Sequence, residues 1–364
     1  MRALVADAGT ARLQTRPIPT PAPDEVVVAT TAASLCAADV VAAAAGGGVG
    51  CILGHEAVGV IHRLGAAVEG FRVGQRVAVS SGTACGRCTN CQRGFDGHCG
   101  DTTWGAYSSG VTRDGSLAEY FTVPQAQRNL AVIPANVDDA AALCVTDTLA
   151  SGTAGPEAAK IPMGGTVVVF GQGHIGLGAT AGARVLGAAM VIVVKARPGG
   201  EEVASAMGAD VCLNLDEHDV IAEIMRHTGG VGADCAVEAS GVIDSFPRAV
   251  EATRTGGVIA VLSSYSGPPE TALPIPLAHW GWGIGDKTVL STFAPTGNER
   301  LGRLLRLVAA GRIPTAPLLT HRYTFDHAER AFADVADRTA GLIKPVITFH
   351  APITTSPGDT THGP

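Results

Sequence analysis

Four cysteines stand close together in "CGRCTNCQRGFDGHC": Cys85, Cys88, Cys91 and Cys99, at steps of three, three and eight. Thiolates at this spacing can close around one tetrahedral Zn²⁺, filling every coordination position and leaving none for a substrate. The set therefore reads as a structural zinc site, with any catalysis lying elsewhere. Unrelated thiols or a redox pair would not need four members, and His98, beside Cys99, reads as an exposed loop residue rather than a ligand. A second group is spread along the chain: Cys36, His55, Glu56 and Asp147, one thiol, one imidazole and two carboxylates. A mixed donor set leaves a metal Lewis-acidic and able to exchange a ligand for substrate, although "GHE" alone could be a buried loop motif.

A third pattern lies in "VVVFGQGHIG". Gly171, Gly173 and Gly176 have the G-x-G-x-x-G spacing, with His174 and Ile175 between the last two glycines. A strand-like run precedes the pattern and an apolar helix-like run follows it. In that setting the glycines let the backbone approach a pyrophosphate, and the helix N-terminus offers N–H groups and positive potential. The next strand, "MVIVV", ends in Lys195, Ala196 and Arg197. A fold that prefers NAD usually has an acid there for the ribose 2′-hydroxyl, whereas a cation accommodates a 2′-phosphate. The nearest acid is Glu201, so NADP is favoured, with Arg197 as the main phosphate ligand and Lys195 as its helper. NAD is the alternative, with the two cations merely solvated.

These residues need a scaffold, and the chain supplies two patterns. Its 364 residues suit two domains with a cleft between them. The first part reads as short strands between turns ("VVVATTA", "AVGVIHRLG", "GQRVAVS"), an all-β pattern. From about Ile161 strands alternate with helices, which implies an α/β unit with a doubly wound parallel sheet. Helices are expected at Phe246 to Arg254, at Glu299 to Ala310 and within "YTFDHAERAFADVADR", with a closing strand in "GLIKPVITF". The tail, residues 351–364, is polar with Pro and Gly and is expected to be disordered. Apolar residues at 46% and charged residues at 16% fit a globular protein. A net charge of −7 argues against nucleic acid as a partner. "MRALVADAG" lacks a signal-type apolar core, and no apolar run approaches the roughly 18 residues of a membrane span. A soluble, cytoplasmic protein away from membranes is expected, and nine cysteines with one tight cluster suit a reducing compartment.

Over nearly all of its first 350 residues the chain resembles the zinc-dependent medium-chain dehydrogenase/reductases, closest to the bacterial NADP-dependent secondary alcohol dehydrogenases. The stretches that carry the likeness are "LCAAD", "ILGHEAVG", "GSLAEYF", "VTDTLASG", "GQGHIG", "KARP", "HWGWG" with "DKTV", and "YTFDHAERAF" with "GLIKPV". The resemblance implies a catalytic zinc held by Cys36, His55 and Asp147, with Glu56 able to join or leave. It implies that Asp39 hydrogen-bonds to His55 and fixes its ring; a turn-capping Asp is the plain alternative. A GroES-like β domain of residues 1–149 and 293–350 would enclose a Rossmann domain of residues 150–292. Lys344 becomes a candidate contact to the cofactor, and Trp104, Tyr107, Trp280, Trp282 and Phe293 become candidate pocket walls. Two zinc ions per chain, a small alcohol or carbonyl substrate and a homo-oligomer, dimer or tetramer, follow from the same likeness.

The departures bear on mechanism. Near relatives with a secondary-alcohol preference often lack the four-cysteine site that is complete here. Ala38 stands where alcohol dehydrogenases generally carry Ser or Thr, the hydroxyl that begins the proton relay, and Val41 stands where many have a relay histidine. Leu215 replaces a tyrosine that close relatives place near the adenosine. Reduction of a ketone leaves an alkoxide that must be protonated, and general-acid help is worth ~10²–10⁴-fold. Two alternatives to a secondary alcohol dehydrogenase follow. One is a biosynthetic reductase of an imine, iminium or conjugated enone, whose reduction needs no relay at that atom. The other is a non-enzymatic zinc protein that binds a partner through its four-cysteine lobe. The run "AAAAGGGVG" beside the site reads either as room for a larger substrate or as a surface loop.

Overall fold

Apolar and β-branched runs set the strands, and Gly and Pro set the breaks between them. The computed structural model describes residues 1–44, 49–101, 105–195, 199–268, 270–293 and 295–350. β1 (Arg2–Asp7) and β2 (Thr10–Thr15) form an antiparallel hairpin. Next come β3 (Val26–Ser34), β4 (Glu56–Leu64), β5 (Arg76–Val79), β6 (Tyr120–Val123) and β7 (Leu130–Val132). A second series comprises β8 (Thr166–Phe170), β9 (Met190–Lys195), β10 (Val211–Asn214), β11 (Ala233–Glu238), β12 (Thr253–Val261) and β13 (Thr288–Ser291). β14 (Leu319–Thr324) and β15 (Lys344–Thr348) close the chain.

The second series builds a six-stranded sheet in the order β10-β9-β8-β11-β12-β13, every pair parallel. Such a sheet is covered on both faces, which is why Val167, Val168 and Val169 are fully buried and "TVVVF" is apolar without alternation. Strand order reverses between β8 and β11, and the crevice beyond their carboxyl ends is where a doubly wound sheet takes a nucleotide. The other large sheet runs β14-β15-β3-β4-β5-β7, with β6 paired to β3. It is antiparallel except between β14 and β15. Its two last strands therefore bring residues from the end of the chain beside Ala32 and Ala33 of β3.

The first part is not purely β. Its alanine-rich stretches form helices at Ala37–Ala44, despite the β-branched pair Val40 and Val41, and at Asp139–Cys144. The helix expected to reach Arg254 is Ser245–Ala252, because β-branched Thr253 opens β12 at once. The helix expected from Glu299 is Asn298–Ala309. Residues 351–364, expected to be disordered, and residues 45–48 of the run "AAAAGGGVG" lie outside the described residues. No helix among the described residues is long and apolar enough to cross a membrane.

One apolar core runs through both sheets. It holds Val58 and Ala78 of the seven-stranded sheet, Val167 and Val169 of the six-stranded sheet, and Leu143, Val145 and Leu149 between them. The crossing segment is the helix Asp139–Cys144 followed by a π-helical turn at Val145–Leu149. Arg300, 4% exposed, ties the returning helix to this crossing. It donates to Ala150 O at 2.6 and 3.0 Å, to Thr153 Oγ1 at 2.7 Å and to Glu157 Oε2 at 2.6 Å. Replacing Arg300 by Met is expected to cost about 2–4 kcal/mol, because several buried acceptors lose a charged donor. Urea unfolding reads this directly, and a loss below ~0.5 kcal/mol contradicts it.

Candidate active site

Cys36 follows β3, His55 precedes β4 and Glu56 opens it, and Asp147 lies in the π-helical turn between the sheets. Irregular helical turns of this type recur at functional sites because they re-aim a side chain out of the regular ladder. The fold brings all four together. Cys36 Sγ lies 3.4 Å from His55 Nε2, and His55 Nε2 lies 3.9 Å from Glu56 Oε1. Two overlapping triples, Cys36 with Asp39 and His55, and His55 with Glu56 and Asp147, each keep their donor atoms within 4.8 Å. Glu56 is fully buried; its Oε2 is ion-paired with the Lys344 ammonium, and its Oε1 lacks a hydrogen-bond donor among the described residues. Buried carboxylates left this way suit a cation.

Asp39 fixes the arrangement. Its Oδ2 accepts from Cys36 N at 2.9 Å, and its Oδ1 accepts from Gly54 N at 3.1 Å and lies 3.2 Å from His55 Nδ1. That contact turns Nε2 of the ring toward Cys36. Burial opposes a charged imidazole at His55, but the Asp39 carboxylate and the Cys36 sulfur outweigh it and hold the pKa well above the ordinary value. Burial pushes the Cys36 thiol and the Glu56 carboxyl up. At Asp147 burial acts the same way, yet His55 and Lys344 prevail and the pKa falls. Ser81 Oγ and Ser151 Oγ donate to Asp147 Oδ1 at 3.1 and 2.9 Å. Spacing could not reveal Ser81, because it reaches Asp147 only across the join between β5 and the π-helical turn.

Lys344 heads β15, which the sheet order lays beside β3, and its ammonium is ion-paired with Glu56 Oε2, both side chains being fully buried. Burial opposes its charge, but Glu56 and Asp147 raise its pKa. Tyr107 stands on another wall, its ring 6.5 Å from that of His55 and 4.8 Å from that of Phe293. Burial pushes its hydroxyl to about 12, while hydrogen bonds with Ser81 and Ser151 pull the other way. Trp280 packs instead on the core behind the six-stranded sheet, Trp282 is 74% exposed, and Trp104 lies outside the described residues. Ala38 and Val41 are exposed on the helix after Cys36, and Ala38 N donates to Cys36 Sγ at 3.3 Å.

The glycine-rich turn meets this group from the other sheet. A Cβ on Gly171 (φ +111°) would lie 2.8 Å from Ala239 O, and one on Gly176 would lie 2.0 Å from Gly171 O. A Cβ on Gly173 would enter open space at the N-cap of the helix His174–Val185. Tight turn, open approach and close helix packing are the three uses of glycine in a pyrophosphate cradle. His174 Nδ1 lies 3.2 Å from Thr148 Oγ1, next to Asp147, so cradle and donor cluster share one seam. Burial and Lys344 press the His174 pKa down to about 3, which keeps the ring neutral. Ile175, half-buried, packs by its carbonyl against Gly152.

Within 4.8 Å of one another also stand the sulfurs of Cys85, Cys88, Cys91 and Cys99. Backbone N–H groups point at them: Cys85 N at Cys99 Sγ (3.2 Å), Cys88 N at Cys85 Sγ (3.4 Å) and Gly100 N at Cys88 Sγ (3.4 Å). The backbone N–H groups of Cys91 and Gly100 favour the thiolate at Cys88 and bring its pKa down to about 6. His98 is exposed, its ring 5.3 Å from that of Phe293.

Residues 22–135 match the family model described as alcohol dehydrogenase GroES-like domain, and residues 175–310 match that of zinc-binding dehydrogenase. An alcohol dehydrogenase of Cupriavidus necator is 36% identical over 365 residues, covering 96% of this chain and 98% of its own. The chain belongs to the zinc-dependent alcohol dehydrogenases of the medium-chain family. An NADP-dependent isopropanol dehydrogenase of Thermoanaerobacter brockii is 38% identical over 297 residues, 81% of this dehydrogenase and 84% of its own chain. Among solved structures, an alcohol dehydrogenase of Thermus sp. ATN1 superposes with a TM-score of 0.86 at 25% identity, over 96% of this chain and all of that one.

In this dehydrogenase Asp39 is the group whose loss should loosen the donor cluster without removing a donor from the expected ligand set. Asp39→Ala is expected to lower zinc affinity ~10–100-fold at that cluster, as loss of a ligand's hydrogen-bond partner does elsewhere. Competition with a chelator, followed by elemental analysis, measures it; unchanged retention of both ions contradicts it.

Proposed function

We propose that this enzyme transfers hydride between NADP(H) and a small secondary alcohol or its ketone. The observation that carries the reading is the seam where Cys36, His55, Glu56 and Asp147 converge and where Thr148 joins the turn of Gly171, Gly173 and Gly176 through His174. Zinc held by Cys36, His55 and Asp147, with Glu56 in reserve, would supply Lewis acidity toward the substrate oxygen. Asp39 keeps His55 Nε2 aimed at that point, and Ser81 and Ser151 hold Asp147 Oδ1. Lys344 balances Glu56, and the Tyr107 ring packs at 4.8 Å on that of Phe293 to form one wall. The four cysteines would hold the second, structural zinc.

Supporting the choice of substrate and cofactor are the names of the relatives, among them the isopropanol dehydrogenases described as NADP-dependent. Those names lend nothing to the imine and enone alternative or to a non-enzymatic role. Ala38 still removes one hydroxyl, but Tyr107, Ser81, Ser151 and Thr148 keep hydroxyls at the same seam. We further propose the division into residues 1–149 with 293–350 and residues 150–292, a cytoplasmic location, and self-association as a dimer or tetramer. The edge strand β13, together with exposed Leu277, Trp282 and Ile284, supports the last of these.

The zinc-loaded enzyme is expected to oxidise 2-butanol with NADP⁺, and Ala38→Ser to change that rate by less than about tenfold. Steady-state assays with 2-propanol and 2-butanol measure both. A gain of ~10² or more in Ala38→Ser, the scale of general-acid help, over a sluggish wild type would return the imine or enone reductase to first place.

A further inference from the structure

Of the two cations expected to meet a 2′-phosphate, Arg197 lies outside the described residues, and Lys195, at the end of β9, is already engaged. Lys195 is 3% exposed, and its ammonium is ion-paired with Glu201 Oε1 and donates to Gly199 O at 3.3 Å. Glu201, by contrast, has 53% of its side chain in solvent. Two successive glycines with positive φ, Gly199 (+76°) and Gly200 (+82°), fold the chain back so that the acid reaches the lysine. Gln172, inside the glycine-rich turn, donates to Gly200 O. The ion pair is therefore fastened to the wall of the pyrophosphate cradle, at the strand end that faces the adenosine ribose in a dinucleotide fold.

A buried ammonium is costly without a partner, and Glu201 supplies one. The two cofactors then meet different tasks. A 2′-hydroxyl is a neutral donor that can hydrogen-bond to Glu201 while the pair stays intact. A 2′-phosphate is an anion that wants Lys195 and is repelled by Glu201, so the acid must swing into the solvent it already half occupies. We propose that Glu201 is a specificity-determining residue, an internal anion that occupies Lys195 and narrows the preference for NADP over NAD. The inference rests on reading the crevice as a dinucleotide site.

The test is equilibrium binding to the zinc-loaded enzyme, by quenching of tryptophan fluorescence or by calorimetry, with NADP⁺, NAD⁺, 2′,5′-ADP and 5′-AMP as probes. Glu201→Gln removes the charge at an exposed position and keeps the shape. It is expected to tighten NADP⁺ and 2′,5′-ADP about tenfold, the effect of removing one like charge near the phosphate, and to leave or weaken NAD⁺ and 5′-AMP. Lys195→Met is expected to move the ratio toward NAD. An unchanged NADP⁺ to NAD⁺ ratio in Glu201→Gln, or a shift toward NAD⁺, overturns the proposal while leaving the crevice intact. Failure of the wild type to bind any of the four probes overturns the dinucleotide reading and the proposal with it.

Discussion

One buried carboxylate, Asp39, carries the site. It is 2% exposed and holds three groups at once: the backbone N–H of Cys36, the backbone N–H of Gly54 and the imidazole of His55. Those residues come from the end of one strand and the start of the next, and nothing in strand geometry alone would turn their side chains toward a common point. Hydrogen bonds to an ionised acceptor are about twice as strong as neutral ones, and low dielectric strengthens them further. A small helix after Cys36 exists to present this acid; Asp39 is one of its buried residues, and Ala38 on its outer side is exposed.

Around that anchor the charges are balanced in a chain. Glu56 answers Lys344, Asp147 lies under the field of His55 and Lys344 and takes two serine hydroxyls, and His174 stays neutral beside Thr148. The seam is where the two sheets share one apolar core, so these groups sit in a setting where pairing counts most. The same logic recurs beside the first glycine of the cradle, where Glu238 at the end of β11 accepts from Ser240 N at 2.9 Å and from Tyr265 Oη at 2.6 Å. There it binds the loops after β11 and β12 to each other. Buried acids in this dehydrogenase act mainly as organisers of loops.

How much of this was legible in the chain depends on distance in sequence. The four-cysteine cluster and the glycine spacing are local patterns whose geometry follows from a few residues: the four sulfurs do gather within 4.8 Å of one another, and the glycines do form the turn between β8 and the following helix. The grouping of Cys36, His55 and Asp147 is long-range; donor chemistry suggested it and the family likeness assigned it, but spacing could not. In sequence Lys195 reads only as a helper to Arg197, because the glycine pair that folds Glu201 onto it looks like an ordinary break. Ser81, Glu238 and the aromatic packing of Trp280 were illegible for the same reason, each depending on a contact across elements. Short helices in the strand-rich first part escaped a reading based on alternation, since alanine fits either pattern.

The most direct measurement is anomalous diffraction at the zinc edge from a crystal of the purified enzyme soaked with NADP⁺. The account predicts one peak bonded to Cys36, His55 and Asp147, a second among Cys85, Cys88, Cys91 and Cys99, and the nicotinamide end of the cofactor beside the first. A zinc peak among the four cysteines alone, with Cys36, His55 and Asp147 holding no metal in zinc-replete crystals, would contradict it.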